Sequence, residues 1–386
     1  MSEASLKKKI IAYSKSIGID KIGFTTADVF TALKNRLKEQ QELGYQSGFE
    51  KGSIEERTEP KRLFTEAQSI LSIAIAYPSR MPNPPKGEKG NRRGIFCRAS
   101  WGTDYHVVLR DKLEQLAAFI KEQKPEAETK IMVDTGELSD RAVAERAGIG
   151  FSGKNTAIIT PEFGSYVYLG EMLTNISFEP DQPLEDGCGD CTKCLDACPT
   201  GALIEGGRLN AQKCLAFLTQ TKDFLPDDYR SKIGNALYGY DTCQVVCPYN
   251  KKVDFHLHPE LEPEPEVAKP KLVPLLTISN RQFKVTFGHV AGSWRGKKPL
   301  QRNALLALAH YKETTAVPDI IHVMTEDVRP VMRGTAAWTL GKIGTDEAFA
   351  AIKKAMENET DEDVLFEMDK GLQFEASHLQ ADKARE

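Results

Sequence analysis

The chain carries a dense run of cysteines near its middle. Seven of its eight cysteines fall between Cys188 and Cys247, and Cys97 alone stands outside that segment. The run CGDCTKCLDACP (188–199) has the spacing C-x2-C-x2-C-x3-C-P, which is the bacterial ferredoxin pattern for 4Fe–4S clusters. A zinc site is the alternative, but it would favour paired C-x2-C motifs without a trailing Cys-Pro. The spacing therefore predicts a ferredoxin-like fold around iron–sulfur clusters.

The cysteines divide between two clusters, because the fourth cysteine of such a run binds the other cluster. We expect the first cluster to be held by Cys188, Cys191, Cys194 and Cys247. We expect the second to be held by Cys198, Cys214 and Cys243. Its fourth ligand is not a cysteine, because Tyr240 occupies the position three residues before Cys243. Tyr240 or Asp241 then supplies an oxygen ligand, or the second cluster has an open iron or is held in another way.

The composition predicts more than one hydrophobic core and no membrane span. The 386 residues are 40% hydrophobic with a formal net charge of −4, which favours two or three domains. No apolar run approaches the roughly 18 residues that a membrane helix needs, and residues 1–20 lack the apolar core of a signal peptide. We therefore expect a cytoplasmic protein, in which clustered thiols bind metal rather than form disulfides.

Helix and strand patterns divide the chain into four consecutive segments. Residues 1–180 alternate helical periodicity with buried apolar runs, which predicts an α/β domain. Residues 181–252 carry the cysteines, and the Pro- and Glu-rich stretch 253–273 predicts a linker or surface-wrapping loop. Residues 274–386 are predicted to be helical. In the first segment we expect helices over 4–17, 28–43, 104–123 and from 138, with strands over 68–78 and 130–136.

The C-terminal segment contains an internal repeat. PLQRNALLALAHYK (299–312) aligns with PVMRGTAAWTLGKI (330–343), and each copy has arginine at its fourth position. A weaker third copy begins near Asp361. Paired helices at this period predict a short HEAT-like α-solenoid. The alternative is an ordinary helical bundle with chance similarity, since only two copies are clear.

Charge is asymmetric along this repeat. From Arg281 to Lys342 there are ten Lys and Arg residues against four Asp and Glu, and from Ile343 to the end there are five against twelve. A basic stripe on a solenoid is typical of proteins that bind polyanions. The alternative is a solvated surface with no partner, but the run WRGKK (294–298) favours nucleic acid.

Four motifs together resemble one enzyme family. They are CRASWGTDYH (97–106), VDTGELSDRAVAERAGIGFSGKNT (133–156), CGDCTKCLDACPTGAL (188–203) and YGYDTCQVVCPYNK (238–251). With the C-terminal repeat, they resemble the epoxyqueuosine reductases over nearly the whole chain. The resemblance implies a cobalamin-dependent reductase with two 4Fe–4S clusters. It implies the last step of queuosine biosynthesis, in which the epoxide of epoxyqueuosine at the wobble position of tRNA becomes an alkene and water is released.

The resemblance also carries family roles onto particular residues. Asp134 corresponds to the family's proposed proton donor, and we expect its carboxylic acid to stay protonated near pH 7 beside the corrin. The alternative is an aspartate that only caps its own turn. The expected cobalamin contacts are Arg57, Cys97, Asp134, Ser139, Arg141, Lys154 and Asn155. The resemblance also implies that cobalamin is bound base-off, and the motif DYHVVL (104–109) agrees because it lacks the glycine of His-ligated cobalamin sites.

Structural roles are the alternatives for several of these residues. Cys97 fits a small buried hydrophobic residue as well as a corrin contact. Lys154 and Asn155 fit a plain glycine-rich turn, and Arg57 and Arg141 fit surface ion pairs.

The family's tRNA contacts fall in the basic C-terminal stretch. Trp294 offers a ring on which a base could stack, and its basic neighbours offer phosphate contacts. The expected tRNA-binding residues are Arg281, Trp294, Arg295, Lys297, Lys298 and Arg302. We further expect a soluble electron donor, a flavodoxin or a ferredoxin, and a monomeric protein.

Two other functions stay open from the sequence. One is a reductive dehalogenase-like reductase of small molecules that uses cobalamin and iron–sulfur clusters, although the repeat and the basic stripe argue against it. The other is a two-cluster electron carrier with a helical docking domain, although a pure carrier has no need of the large N-terminal domain.

Overall fold

The structure is a computed structural model that describes residues 2–204 and 206–383. Backbone contacts divide the chain into two compact units. Unit 1 consists of Met1–Arg80, Trp101–Cys214 and Asp241–Glu262, and unit 2 consists of Met81–Ser100, Leu215–Tyr240 and Pro263–Glu386. The cysteine segment 181–252 is therefore shared between the units. The last three residues of the predicted helical segment lie outside the described residues.

The described residues form eight β-strands and eighteen α-helices. The strands are β1 (Lys21–Thr26), β2 (Ser69–Ala76), β3 (Ile95–Phe96), β4 (Thr129–Met132), β5 (Phe151–Ser152), β6 (Ile158–Ile159), β7 (Val167–Thr174) and β8 (Ala236–Tyr238). The helices are α1 (Glu3–Ser16), α2 (Thr31–Glu42), α3 (Ile54–Thr58), α4 (Pro60–Leu63), α5 (Tyr105–Gln123), α6 (Asp140–Arg146), α7 (Lys193–Asp196), α8 (Leu215–Leu218), α9 (Asp227–Arg230), α10 (Thr242–Val245), α11 (Pro265–Ala268), α12 (Leu272–Leu276), α13 (Asn280–Phe287), α14 (Lys297–Tyr311), α15 (Val317–Glu326), α16 (Pro330–Ile343), α17 (Asp346–Met356) and α18 (Glu362–Lys383).

The core of unit 1 is a four-stranded sheet in the order β1-β2-β7-β4. Each neighbouring pair is antiparallel, so the alternating helices and strands of this segment build an antiparallel sheet. β2 lies between two strands and is buried at every position, which explains why 68–78 is a continuous apolar run. The strand predicted there is confirmed.

Helices cover both faces of this sheet. Leu169 and Leu173 of β7 pack in apolar clusters that include residues of α6. Gly170, on the alternate face of the same strand, lies against Leu113 of α5. Because residues two apart share a strand face, Glu171 lies on the α6 side between Leu169 and Leu173.

Helix α5 begins where its capping residue predicted. The carboxylate of Asp104 accepts the backbone N–H of His106 at 3.0 Å, which satisfies one of the free N–H groups of the first helical turn. This cap fixes Tyr105 and His106 at the N-terminal end of a buried helix, a rigid position for side chains that take part in chemistry.

Unit 2 contains the predicted repeat. Helices α14 and α16 cover the two aligned sequence copies and are buried along most of their length, and α15 and α17 follow them. Helix α16 packs against α14, α15, α17 and α18. The paired arrangement confirms the predicted HEAT-like solenoid, and the third copy near Asp361 corresponds to one long helix, α18.

The Pro- and Glu-rich stretch 253–273 is ordered and packed. It contains α11 and a 3-10 helix over Pro259–Leu261, and Leu261 and Ala268 are buried. Asp254 accepts the hydroxyl of Ser79 at 3.1 Å. Within the described part of the chain, no helix is both long and apolar enough to cross a membrane.

Candidate active site

Four of the predicted cluster ligands come together in unit 1. Cys188, Cys191, Cys194 and Cys247 line one cavity of about 140 Å³. The backbone N–H of Lys154 points at Sγ of Cys188, at 3.4 Å. Hydrogen bonds to sulfur help set the reduction potential of iron–sulfur clusters, so the N–H of Lys154 would influence the potential of a cluster bound by Cys188.

The other three predicted ligands form a second group in the same unit. Burial first, and then the charges of its neighbours, raise the pKa of the Cys243 thiol to about 12. Those neighbours are Cys214, Asp241, Cys194 and Cys198. At Cys198, burial raises the pKa of the thiol, but hydrogen bonds from backbone N–H groups lower it by more, so the pKa lies below its usual value. One of them, the N–H of Ala202, lies 3.3 Å from its sulfur.

Both groups of thiols fit 4Fe–4S clusters. In such a cluster each thiolate binds its own iron, so the sulfurs stand apart from one another. Among the residues that the structure describes, no three Cys, His, Asp or Glu side chains are placed to hold a single metal ion. Seven thiols in two groups, supported by N–H donors, supply seven of the eight ligands that two such clusters take.

The two candidates for the missing fourth ligand face different surroundings. The ring of Tyr240 packs against the apolar cluster of unit 2 that contains Leu215, Leu218 and Trp338. The carboxylate of Asp241 lies in unit 1, where its charge adds to burial in raising the pKa of the Cys243 thiol. Of the two oxygen donors, Asp241 has the surroundings that suit a ligand.

Asp134 lies on the turn after β4 and presents its carboxylate to a partly open recess. Its φ of 47° is in the left-handed region, which is uncommon for a residue other than glycine and is often found at functional sites. Its side chain is 56% exposed. The hydroxyl of Tyr105 donates to Oδ2 at 2.7 Å, and Nε2 of His106 lies 3.3 Å from the same oxygen. Both partners belong to α5.

His106 holds the proton of this group. Its Nδ1 lies 2.7 Å from Oδ1 of Asp104. Burial works to lower the pKa of His106, but its contacts with Asp104 and Asp134 more than offset burial and raise the pKa to about 9. At Asp134, burial works to raise the pKa, but His106 and Tyr105 more than offset it and the pKa is lowered. At neutral pH the structure therefore holds a carboxylate beside an imidazolium, which differs from the protonated Asp134 that we expected.

A second carboxyl lies behind Asp134. The backbone N–H of Asp134 donates to Oδ2 of Asp140 at 3.0 Å. Burial, and then the charge of Asp134, raise the pKa of Asp140 to about 7. The guanidinium of Arg141 donates to the carbonyl of Thr156 at 2.6 Å. Burial lowers the pKa of Arg57, and the charges of Glu50, Arg141 and Asp140 also contribute to it, so these groups lie near one another. The recess is thus formed by Arg57, Asp134, Asp140 and Arg141, three of which are predicted cobalamin residues. Ser139, a fourth, directly precedes Asp140 at the start of α6.

The other three predicted cobalamin residues are Cys97, Lys154 and Asn155. Lys154 and Asn155 line the cavity of the first cysteine group, and the ammonium of Lys154 donates to the carbonyl of Gly189 at 2.5 Å. Cys97 belongs to unit 2, where its backbone N–H donates to the carbonyl of Tyr238 at 2.9 Å. A Cβ at position 239 would collide with its sulfur, so Gly239 is required for this packing.

The recess residues fit a large cofactor with polar substituents. Arg57 and Arg141 offer cationic donors for its amides or phosphate, and the carboxylate of Asp134 is open on one side. Among the described residues, Nε2 of His106 is buried without a partner in hydrogen-bonding geometry, although it lies 3.3 Å from Asp134. A donor left in this state suits a site that is completed by a bound molecule.

Several predicted tRNA contacts lie on the surface of unit 2. Trp294 is 54% exposed, and its indole N–H donates to Oε1 of Gln220 at 2.9 Å. The guanidinium of Arg295 lies 4.9 Å from the Trp294 ring centroid. Arg281 is exposed on α13, and the ammonium of Lys297 donates to the carbonyl of Ile278 at 2.7 Å. An exposed ring held at its edge, with cations nearby, suits base stacking.

Arg302 was predicted as a tRNA contact, and the structure corrects this. Its side chain is 1% exposed. Its guanidinium donates to the carbonyls of Leu218, Thr221 and Asp223 at 2.6 to 2.9 Å. The equivalent arginine of the second repeat, Arg333, pairs with Glu359. The repeated arginine is therefore a structural residue of the solenoid, which explains why it recurs at the fourth position.

The sequence analysis gave no role to Tyr105, His106, Asp140 or Glu171. Glu171 is 1% exposed in the centre of the sheet, and burial raises the pKa of its carboxyl well above the usual value. Its signal in the sequence is a single charge within the apolar run VYLGEMLT (167–174). Tyr105, His106 and Asp140 can be recognised only in the structure, where residues of α5, α6 and the turn after β4 contact one another.

Family models match three parts of the chain. A family model described as epoxyqueuosine reductase QueG, DUF1730 matches residues 57–135. Models for a 4Fe-4S double cluster binding domain and for HEAT repeats match residues 187–250 and 296–368. An epoxyqueuosine reductase of Bacillus anthracis is 66% identical over 374 residues, which cover 97% of this chain and 98% of that protein.

Two solved structures of epoxyqueuosine reductases are also similar to this chain along nearly its whole length. An epoxyqueuosine reductase crystallised with an epoxyqueuosine-modified tRNA-Tyr stem loop is 63% identical with a TM-score of 0.95, covering 97% of this chain and 100% of that chain. A Bacillus subtilis epoxyqueuosine reductase whose aspartate-bearing catalytic loop is swung out of the active site has the same identity, TM-score and coverage. With relatives this similar along nearly its full length, the chain belongs to the epoxyqueuosine reductase family.

Proposed function

We propose that this chain reduces the epoxide of epoxyqueuosine in tRNA to the alkene of queuosine, with Asp134 delivering a proton to the departing oxygen. The observation that carries the proposal is the position of the Asp134 carboxylate, which is bonded to Tyr105, paired with His106 and open to solvent on its remaining side. Expelling an epoxide oxygen as water consumes two electrons and two protons. The recess supplies a proton route, and the cysteine groups supply an electron route.

The proton route begins at His106. Because its pKa is about 9, the imidazolium keeps its proton at neutral pH and can pass it to the carboxylate 3.3 Å away. Asp134 then protonates the departing oxygen, and Tyr105 holds the carboxylate in position. In the Bacillus subtilis relative the catalytic loop is swung out of the active site, which supports a mobile turn at Asp134. The left-handed φ of Asp134 suits such a turn.

The two cysteine groups would hold the iron–sulfur clusters that deliver electrons. Cobalamin, when bound, would supply a strongly nucleophilic low-valent cobalt for the reduction. Arg57, Ser139 and Arg141 hold the cofactor beside Asp134 in this proposal. The contacts of Lys154 and Asn155 support a role at the first cluster rather than at the corrin. Asp241 is our candidate for the fourth ligand of the second cluster, and a flavodoxin or ferredoxin is the proposed donor.

The tRNA is held by unit 2. The ring of Trp294 stacks on an unpaired base, and Arg281, Arg295, Lys297 and Lys298 contact phosphates. Recognition of single-stranded loops by stacking and phosphate contacts is general for RNA-binding proteins. We further propose that the protein acts as a monomer in the cytoplasm, where its tRNA substrate is found.

The test is the variant Asp134→Asn. An amide keeps the shape of the side chain and can still accept from Tyr105, so cobalamin and iron content should match the parent. Turnover of an epoxyqueuosine-containing stem loop should fall about 10²–10⁴-fold, the usual contribution of a positioned acid. Glu137→Gln is the matched control, because Glu137 lies on the same turn and pairs with Lys51 instead.

Two results would change the assignment. A loaded Asp134→Asn protein with near-parent turnover would remove Asp134 from the chemistry. Loss of cobalamin from that variant would make Asp134 a cofactor-binding residue and leave the proton donor to His106 or Tyr105.

A further inference from the structure

We propose that the tip of the β5–β6 hairpin, residues 153–157, fixes the two cysteine groups relative to one another. Asn155 is its positioning residue for electron transfer between the two clusters. The inference rests on the proposed delivery of electrons by those clusters. Transfer from one cluster to the next requires that the two lie close together at a constant separation. Three consecutive residues of the hairpin tip contact the first group, the second group and the recess in turn.

Lys154 connects the hairpin tip to the first cysteine group. Its backbone N–H lies 3.4 Å from Sγ of Cys188, and its ammonium donates to the carbonyl of Gly189 at 2.5 Å. A Cβ at position 206 would lie 2.9 Å from Cγ of Lys154, so Gly206 leaves the room that the lysine stem occupies. The carbonyl of Lys154 accepts the N–H of Gly207 at 3.3 Å. The tip is therefore held on the first group from two sides.

Asn155 connects the same tip to the second cysteine group. It is 6% exposed, and its Nδ2 donates to the backbone carbonyl of Cys243 at 3.3 Å. Its Oδ1 accepts the backbone N–H of Ala157 at 3.2 Å. A Cβ at position 153 would lie 2.7 Å from that oxygen, so Gly153 leaves room for the amide. Groups that bond to the residues around a metal centre orient its ligands, and Asn155 does this for Cys243.

Thr156 connects the tip to the recess. Its carbonyl accepts the guanidinium of Arg141 at 2.6 Å, and its backbone N–H donates to the carbonyl of Gly153 at 2.8 Å. Its φ of 66° is in the left-handed region, which is unfavourable for a β-branched residue. Such a conformation persists only where the surrounding contacts determine it. The tip therefore has one particular shape.

The base of the hairpin also packs on the first cysteine group. Each of its strands has two residues, and an isolated two-stranded hairpin is at best marginally stable in water. Phe151 and Ile159 are paired across the hairpin and pack in one apolar cluster with Cys247 and Cys188. The hairpin and the cysteines therefore support one another.

Asn155 is the residue of the tip at which a substitution acts most directly on the two groups. The contact of Lys154 with Cys188 uses a backbone N–H, which a substitution retains. The contact of Asn155 with Cys243 uses its side chain, which a substitution removes. Asn155 acts through Cys243 and not on the reacting atoms, so its role is positioning.

The experiment compares the parent with Asn155→Asp by electron paramagnetic resonance of the fully reduced protein, reconstituted to about eight irons per chain. Aspartate keeps the oxygen that accepts from Ala157 and lacks the N–H that donates to Cys243. Each reduced cluster carries an unpaired electron, so two clusters at a close and fixed separation split or broaden each other's signals. The parent should show this interaction, and Asn155→Asp should show it weakened or changed in form.

Asn175→Asp is the matched control. Nδ2 of Asn175 donates to the carbonyl of Glu126 at 3.1 Å, and its Oδ1 accepts the N–H of Glu128 at 2.9 Å. The substitution therefore removes the same kind of bond directly after β7, and the control should keep the parent's signals and turnover. Asn155→Asp should turn over an epoxyqueuosine-modified stem loop about tenfold more slowly. Its affinity for the stem loop should be unchanged, because electron delivery is altered and tRNA binding is not.

Hydrogen exchange of the parent gives a readout that does not depend on a variant that folds. The amides of Gly153, Lys154 and Ala157 should exchange about tenfold or more slowly than those of an unstructured peptide. Exchange at the unstructured rate would overturn the positioning role. A parent without interacting signals would also overturn it, as would an Asn155→Asp protein with full iron and the parent's signals.

The resonance signals are recorded without tRNA, so they test the hairpin tip independently of the substrate. If Asp134→Asn is slow while Asn155→Asp matches the parent in signals and in rate, the positioning role of Asn155 fails and the role of Asp134 stands.

Discussion

Each unit of the molecule buries a charged side chain, and the two are treated in opposite ways. Arg302 of unit 2 and Glu171 of unit 1 are both 1% exposed. The guanidinium of Arg302 donates to three backbone carbonyls and to the side chain of Asn303. The carboxyl oxygens of Glu171 have no partner among the described residues.

The difference separates a buried polar group whose hydrogen bonds are satisfied from one whose hydrogen bonds are not. A buried polar group lowers stability unless it is hydrogen-bonded, and Arg302 meets that requirement by donating to carbonyls of the preceding helix and loop. Glu171 does not meet it among the described residues, and burial raises the pKa of its carboxyl well above the usual value.

The largest expected effect contrasts one cysteine from each unit. Cys191→Ala removes a ligand of the first cluster, so reconstituted iron should fall from about eight to about four per chain and turnover should be abolished. Cys97→Ala, in unit 2, should keep all of the iron. Anaerobic metal analysis checks both. Equal iron in the two variants would show that the cavity lined by Cys191 does not hold a cluster.

The next effect concerns the stability of unit 2. Arg302→Ala removes a buried guanidinium that donates to the carbonyls of Thr221, Asp223 and Leu218, so the free energy of unfolding should fall by about 3 kcal/mol or more. Arg281→Ala removes an exposed cation and should change it by less than about 0.5 kcal/mol. Denaturant titration measures both. If the two variants are equally stable, the buried guanidinium is not the structural residue that its contacts indicate.

A smaller effect concerns the pH dependence of the recess. His106 has a pKa of about 9 against an ordinary value near 6.5, so its proton is retained at neutral pH and is lost as the pH rises through about 9. Turnover of the parent should therefore decline above about pH 9. His106→Asn should be about tenfold slower and should lose that decline. His256→Asn is the control, because His256 pairs with Glu262 on a surface loop. An unchanged profile in His106→Asn would remove His106 from the proton route.

The smallest effect concerns tRNA affinity. Arg281→Ala and Lys298→Ala should each weaken stem-loop binding and lower the slope of log affinity against log salt by roughly 0.7 to 1. Lys297→Ala should have less effect, because its ammonium already donates to Ile278. Binding titrations from low to moderate salt measure these slopes. A slope that is unchanged in Arg281→Ala and Lys298→Ala would make the basic stripe a solvated surface.

Much of this molecule was predictable from local patterns. The cysteine spacing predicted two groups of thiols, and the structure brings the members of each group close to one another. Apolar periodicity placed β2 and α5 within a few residues of their observed ends, and Asp104 was recognised as a cap. These features depend on neighbours in the sequence, so they can be predicted without the fold.

Other features escaped because they depend on contacts between distant segments. Arg302 lies in a basic stripe, and only the fold shows that carbonyls of residues 218–223 surround it. Lys154 and Asn155 were predicted as cofactor contacts, and only the fold shows that they also line the cavity of the first cysteine group.

The sequence by itself predicted seven cysteine ligands, the repeat and the family, because motif spacing and helical period are properties of the linear chain. Tertiary structure decided which charges are reactive. The pKa of His106, Asp134, Asp140 and Glu171 is set by burial and by charges brought close from α5, α6, β7 and the turn after β4. Electrostatic energy depends on distance and on exposure to water, and neither quantity is defined until the chain has folded.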